Sequence, residues 1–158
     1  MAGAKHEDRQ PLIQEFFFHL VGAIDRLMQA VNESRKLGIL ASQVTSRKVY
    51  NKLGQTDPIR PLVVSLHPET QHNGKWLPLP QNPYSDEGSH FRILVFRHWV
   101  NHCGANPFFL RLGSEPPISL FLDPRNPSIG GSKLSAVAEL EAFWKLVNDK
   151  CQLVINTL

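Results

Sequence analysis

The sequence predicts a mainly α protein, a helical bundle of four to five helices with a short inserted β-hairpin at about 108–122 and a long Pro-rich loop at about 68–86. Three observations predict it. Apolar residues recur at helical spacing near both ends of the chain, an apolar segment SHFRILVFRHWVNHC in the middle reads as a further long helix, and prolines and Asn-Gly or Asn-Pro pairs gather between them. A chain of 158 residues suffices for one good core, so residues 1–158 are read as a single domain.

Leu12, Ile13, Phe16, Phe17, Leu20, Val21, Ile24, Leu27, Met28 and Val31 follow an i, i+3, i+4 pattern, with Glu15, His19, Arg26, Gln29 and Glu33 opposite. This is a long amphipathic helix ending near Gly38. A second helix is expected from about Ser42 to Leu53, with Ser42 as cap and Gly54 in the left-handed position past its end. In TDPIRPLVVSLH, Asp57 is a candidate cap and Pro58 suits the first helical position of a short third helix. From Pro68 to about Asp86, four prolines and the Asn-Gly turn signal argue against regular structure, while Trp76, Leu77 and Leu79 suggest a loop folded back onto the body.

The next helix runs from about residue 86 to Cys103, stopped by Gly104. Phe108, Leu110 and Leu112, then Ile118, Leu120 and Leu122, alternate as two short strands joined by GSEPP. Leu134, Val137, Leu140, Trp144, Val147, Cys151 and Val154 form the seam of a last helix, for which the first helix is the natural antiparallel neighbour.

An apolar fraction of 42% and a charged fraction of 20% are ordinary for a globular protein and exclude a disordered chain. The formal charge of +3 permits contact with phosphates, but Lys and Arg are scattered rather than gathered in a basic run. No stretch is apolar enough to span a bilayer, and MAGAKHEDRQ does not lead into a signal core, so no membrane association and a cytoplasmic location are expected. Cys103 and Cys151, without a CxxC pair, are expected to be thiols.

The segment from Ser89 to Phe108 has the apolar load of a core helix yet contains His90, Arg92, Arg97, His98, Asn101 and His102. Such side chains are costly in a buried helix unless paired, hydrogen-bonded or used. At about 100° per residue, Phe91, Val95, Phe96, Trp99, Val100 and Cys103 cover one broad side. His90, Arg97 and Asn101 fall together, and His98 and His102 fall together a short way round, so the helix is expected to bury one face and present a polar strip. His98 and His102, at i and i+4, could hold two sites of a metal in a hydrolase, with His19 or Asp25 as a third ligand only if the first helix packs beside them. Cys103 follows His102, but neighbours on a helix point about 100° apart. No phosphate-binding Gly-rich loop, GxSxG or HExxH is present.

Arg97 followed by four residues and His102, with polar His98 directly after the Arg, resembles the motif of the HEPN (higher eukaryotes and prokaryotes nucleotide-binding) domains, an Arg and a His separated by four to six residues. Arg92 and His98 match it too, with five residues between them, but Arg97 and His102 lie on the polar arc. The resemblance covers this motif and the helical layout; the hairpin and the Pro-rich loop depart from the simplest family pattern. It implies a helical bundle acting as a homodimer, and a metal-independent endoribonuclease or RNA-binding protein needing no cofactor. RNA, and a protein partner such as an antitoxin, would be its partners. By the same resemblance Arg97 would neutralise the scissile phosphate, His102 would transfer protons and His98 would assist, with Asn101, His90 and Arg92 as candidate substrate contacts. The chemistry is sound, since an RNA 2′-hydroxyl needs a base near neutral pH and charge developing on phosphorus needs a fixed guanidinium. The rival reading is a non-catalytic interaction or dimerisation module, in which the same groups form an interior network or bond across an interface.

Overall fold

The structure, a computed structural model, describes residues 9–103, 108–110 and 118–158. Its described elements are five α-helices, as the sequence pattern predicts, and two antiparallel two-stranded hairpins, of which the one within 108–120 is expected and the other is not, with a short 3-10 turn before the second helix and another before the last.

Helix α1 (Arg9–Ser34) buries Ile13, Phe17, Leu20, Val21, Ile24, Leu27, Met28 and Val31. Its expected polar residues face solvent. Leu12, expected in the apolar stripe, is exposed. The helix stops before Gly38 because the chain turns through positive φ at Lys36 and Gly38, a turn closed by the Asn32 amide, which both donates to the Ile39 carbonyl (2.9 Å) and accepts from its N–H (3.0 Å).

The second helix is shorter than its pattern suggests. Ala41–Gln43 forms one 3-10 turn, Val44 and Thr45 are extended, and α2 spans Ser46–Lys52. Thr45, not Ser42, supplies the cap by accepting from the Lys48 N–H at 3.2 Å, and Leu53 leaves the helix extended, so Gly54 is not used as a left-handed stop. At the start of α3 (Ile59–Leu66), Asp57 accepts from the Ile59 N–H at 2.9 Å while its other oxygen holds Arg35 Nε at 3.1 Å. Arg35 also donates to the Thr157 carbonyl at 2.9 Å, so one guanidinium ties the ends of α1 and of the chain to the start of α3.

Within the Pro-rich segment the structure adds regular structure that the prolines argued against. Strands β1 (Gln71–His72) and β2 (Lys75–Trp76) pair across Asn73 and Gly74, both at positive φ, as a two-residue hairpin turn requires. The segment does fold back onto the body: Trp76 is half-buried, and the Leu77 carbonyl accepts from Arg125 at 2.7 Å.

Helix α4 (Asp86–His102) starts at Ser85, whose hydroxyl accepts from the Gly88 N–H at 3.1 Å. Gly88 is pressed against the preceding turn, where a Cβ would collide with the Asn82 carbonyl oxygen and lie 2.7 Å from the Pro83 Cα. The expected one-sided burial is not what this helix shows. His90 to Phe96 are buried without interruption, because α1, α3 and α5 all pack around α4, and the helix meets solvent only in its first turn and over its last turns. Phe96 stacks on Phe17 with ring centroids 5.1 Å apart.

Strands β3 (Phe108–Leu110) and β4 (Ile118–Leu120) pair Phe108 with Leu120 and Leu110 with Ile118. Leu112, the GSEPP connection and Gly104 lie outside the described residues. Phe108 and Leu120 enter the core, whereas Leu110 is exposed. Helix α5 (Ala136–Ile155), capped by Ser135, packs against α1, α3, α4 and β4. Its buried face is Ala136, Glu139, Phe143, Val147 and Val154. The expected seam therefore needs correction, since Leu134, Val137 and Trp144 are exposed. The helix is rotated so that Glu139 meets Arg92 inside the core, where the two form an ion pair at 1% exposure each.

Cys103 is exposed and Cys151 half-buried, and both are free thiols. No helix among the described residues is long and apolar enough to cross a membrane.

Candidate functional site at the open end of α4

The polar residues of α4 divide along the helix axis rather than around it. Arg92 belongs to the core. Its Nε donates to the Leu122 carbonyl (2.8 Å), one terminal nitrogen to the Phe121 carbonyl (3.0 Å) and the other to Glu139. The rings of Phe96 and Phe143 flank the guanidinium at 5.7 and 5.4 Å. At 1% exposure this side chain fixes the position of α5 and the turn after β4 and has no path to a ligand.

His90 is also buried, at 1% exposure, and neither ring nitrogen has a hydrogen-bond partner. Burial, then the nearby Lys150 charge, push its pKa down to about 4, with Asp86 opposing in part. The ring is therefore neutral at pH 7. Lys150 is drawn toward Asp86, 3.5 Å away.

The remaining candidates occupy the last turns. Arg97 is half-buried, and its Nε is sealed from water without a partner. His98 is half-buried, whereas Asn101 and His102 are exposed. The His98 ring lies 4.8 Å from Trp76, 5.0 Å from His102 and 5.7 Å from Trp99, centroid to centroid. Trp76 meets Trp99 edge-on at 5.8 Å. Desolvation by these rings, then repulsion from His102 and from Arg97, hold His98 below the ordinary imidazole range, so it is neutral at physiological pH and can accept a proton. Trp76 and Trp99, both half-buried, make this surface aromatic.

Trp76 is set by the Asn73-Gly74 turn, which reverses the chain so that β2 runs back across the end of α4. Arg125 holds it from the far side. Its guanidinium, bound by both Asp123 oxygens at 2.8 and 2.7 Å, lies 5.7 Å from the Trp76 ring and donates to the Leu77 carbonyl. Asp123 is kept below the usual carboxylate range despite its burial, by its hydrogen bonds to Arg125 and the charges of Arg125 and Arg92. The sequence pattern assigned Trp76 to packing and Trp99 to the apolar side; the hairpin turn was the available signal that the two meet.

Arg97 and His102 do not converge within one chain, because five residues along a helix turn the side-chain direction by about 140°. Neither the cavity walled by Asp25, Tyr50 and His67 nor that walled by Gly38, Lys48 and Asn51 is lined by Arg97, His98 or His102. His98 and His102 are near neighbours, but among the described residues no group of three or more His, Cys, Asp or Glu is placed to hold a metal ion, and His19 and Asp25 do not complete one. Cys103 is exposed beside them.

No family model matches this chain, and no curated protein or solved structure matches it either. The functional reading rests on the chemistry of the residues.

Proposed function

We propose that the protein binds single-stranded RNA at the open end of α4 and, as a homodimer, cleaves it without a metal in the manner of the HEPN domains its Arg97–His102 motif resembles. One observation carries this reading: a neutral imidazole, His98, is held between Trp76, Trp99 and His102, near enough to half-buried Arg97 to feel its charge. Aromatic rings give unpaired bases a stacking surface, and exposed cations give the backbone its counter-charge. A neutral imidazole can take the proton of a 2′-hydroxyl, and a second can return one to the leaving oxygen.

In this scheme His102 works in proton transfer with His98 assisting, Arg97 neutralises the phosphate, and Asn101 contacts the substrate. Arg97 and His102 point too far apart for one protomer to bring both to a phosphate. A two-fold pairing of α4 ends would set the Arg of each protomer opposite the His of its partner.

Purified protein is predicted to cleave labelled single-stranded RNA in the presence of EDTA. Arg97→Ala and His102→Ala should each abolish cleavage while retaining the fold; unchanged cleavage in both variants would reject the mechanism. The exposed apolar stripe of α5, formed by Val137, Trp144 and Ile155, favours a second reading, a protein-interaction module without catalysis. That reading predicts no cleavage, and loss of self-association on Trp144→Ser with no effect of Arg97→Ala.

A further inference from the structure

A second concavity lies between α1, α2, the end of α3 and β1, with a volume of about 620 Å³. This is within the range of small-molecule sites, roughly 300–1,000 Å³. Its apolar wall is Val63 and the ring of Tyr50, which is braced from outside by the Arg60 guanidinium 4.3 Å from the ring centroid. Asp25 enters from α1, Ser46 and Arg47 from α2, and His67 closes the end of α3.

We propose that this cavity binds a small zwitterion of the amino-acid type, with its ammonium group on Asp25, its carboxylate on Arg47 and Ser46, and an apolar side chain against Val63 and Tyr50.

Three observations converge on that chemistry. Neither Asp25 nor Arg47 has an ion-pair partner among the described residues, although both line the same cavity. The hydroxyl of Ser46, a residue 6% exposed and on the cavity wall, is buried without a hydrogen-bond partner. A buried hydroxyl left unsatisfied is costly, and a ligand carboxylate paired with Arg47, the next residue, would give it an acceptor once its side chain turns toward the cavity. The walls also carry both signs of charge, Arg47 against Asp25 and Glu69, and of the two carboxylates Glu69 already faces His72, 3.4 Å away. A simple amine would leave Arg47 and Ser46 without an acceptor, and a simple acid would face the Asp25 carboxylate, whereas a zwitterion satisfies both ends. The apolar wall between them selects a hydrocarbon side chain over a charged one.

Saturation-transfer NMR of the intact chain, with each of the standard amino acids in turn, tests the proposal. Apolar amino acids are expected to give signals that titrate to saturation. Affinity should fall roughly tenfold in Asp25→Asn and in Arg47→Ala, since a charge-assisted pair contributes about that factor, and several-fold in Ser46→Ala, with melting temperatures unchanged for the two surface variants. The corresponding amines, which lack the carboxylate, should bind more weakly by a similar factor. The proposal is overturned if no amino acid gives a signal, if binding persists undiminished in both Asp25→Asn and Arg47→Ala, or if the amines bind as tightly as the amino acids.

Discussion

His90 offers a direct measure of how much polarity this core tolerates. Its ring is buried, both nitrogens lack partners, and its pKa lies at about 4 in the folded chain against 6.5 for a free imidazole. Because the folded value is the lower one, the unfolded chain takes up the proton first as pH falls. The neutral ring therefore imposes no pH-dependent penalty above 6.5, and stability is lost progressively between 6.5 and 4. A gap of that size corresponds to about 2 kcal/mol lost at pH 5 and about 3 kcal/mol at pH 4. His67 and His98, also held below the ordinary range, act in the same direction, so the informative quantity is a difference between two proteins. Urea unfolding of the native chain and of His90→Leu at pH 7, 5 and 4 isolates it. The leucine variant should be as stable at pH 7 or more stable by about 1 kcal/mol, since two unpartnered nitrogens are removed, and should lose about 3 kcal/mol less than the native chain on going to pH 4. A variant clearly less stable at pH 7, with the same acid sensitivity as the native chain, would refute the reasoning by showing that the ring is hydrogen-bonded.

Other expectations concern the frame and the site. Breaking the buried Arg92–Glu139 pair from one side, with Glu139→Gln or Arg92→Met, should cost about 3–5 kcal/mol in chemical denaturation, whereas replacing both partners by apolar residues should cost far less. Gly88→Ala should destabilise by about 1–3 kcal/mol, because its methyl group meets backbone of Asn82 and Pro83 that cannot swing aside; an unchanged melting temperature would contradict that packing. Trp76→Ala should weaken RNA binding roughly tenfold through lost stacking without unfolding the chain, as measured by fluorescence anisotropy.

Periodicity made α1 legible because one face of that helix meets water along its whole length, and the same alternation of faces marked β3 and β4. It could not resolve α4. A helix surrounded by three others has no polar face through its middle, so the wheel grouped buried His90 with exposed Asn101, and only the third dimension separates them. Arg92 reads in sequence as a candidate substrate contact, since its partner, Glu139, lies 47 residues away. The same pairing explains the misplaced seam of α5. Turning Glu139 inward moves Val137 and Trp144 out to solvent, against their hydrophobicity. Capping chemistry was readable in kind but not in place, since Ser42 and Thr45 both suit the role and the extended Val44 decides for Thr45. Asn73-Gly74 announced a tight hairpin, although the surrounding prolines masked it.

The central claim is most directly tested by subunit mixing, reading cleavage of labelled RNA in EDTA by Arg97→Ala protein, by His102→Ala protein and by the two combined. Each variant alone is expected to be inactive, and the mixture to recover part of the native rate, because a mixed dimer retains one guanidinium and one imidazole at the shared phosphate. Native activity in either single variant, or a native chain that leaves RNA intact, would contradict the account.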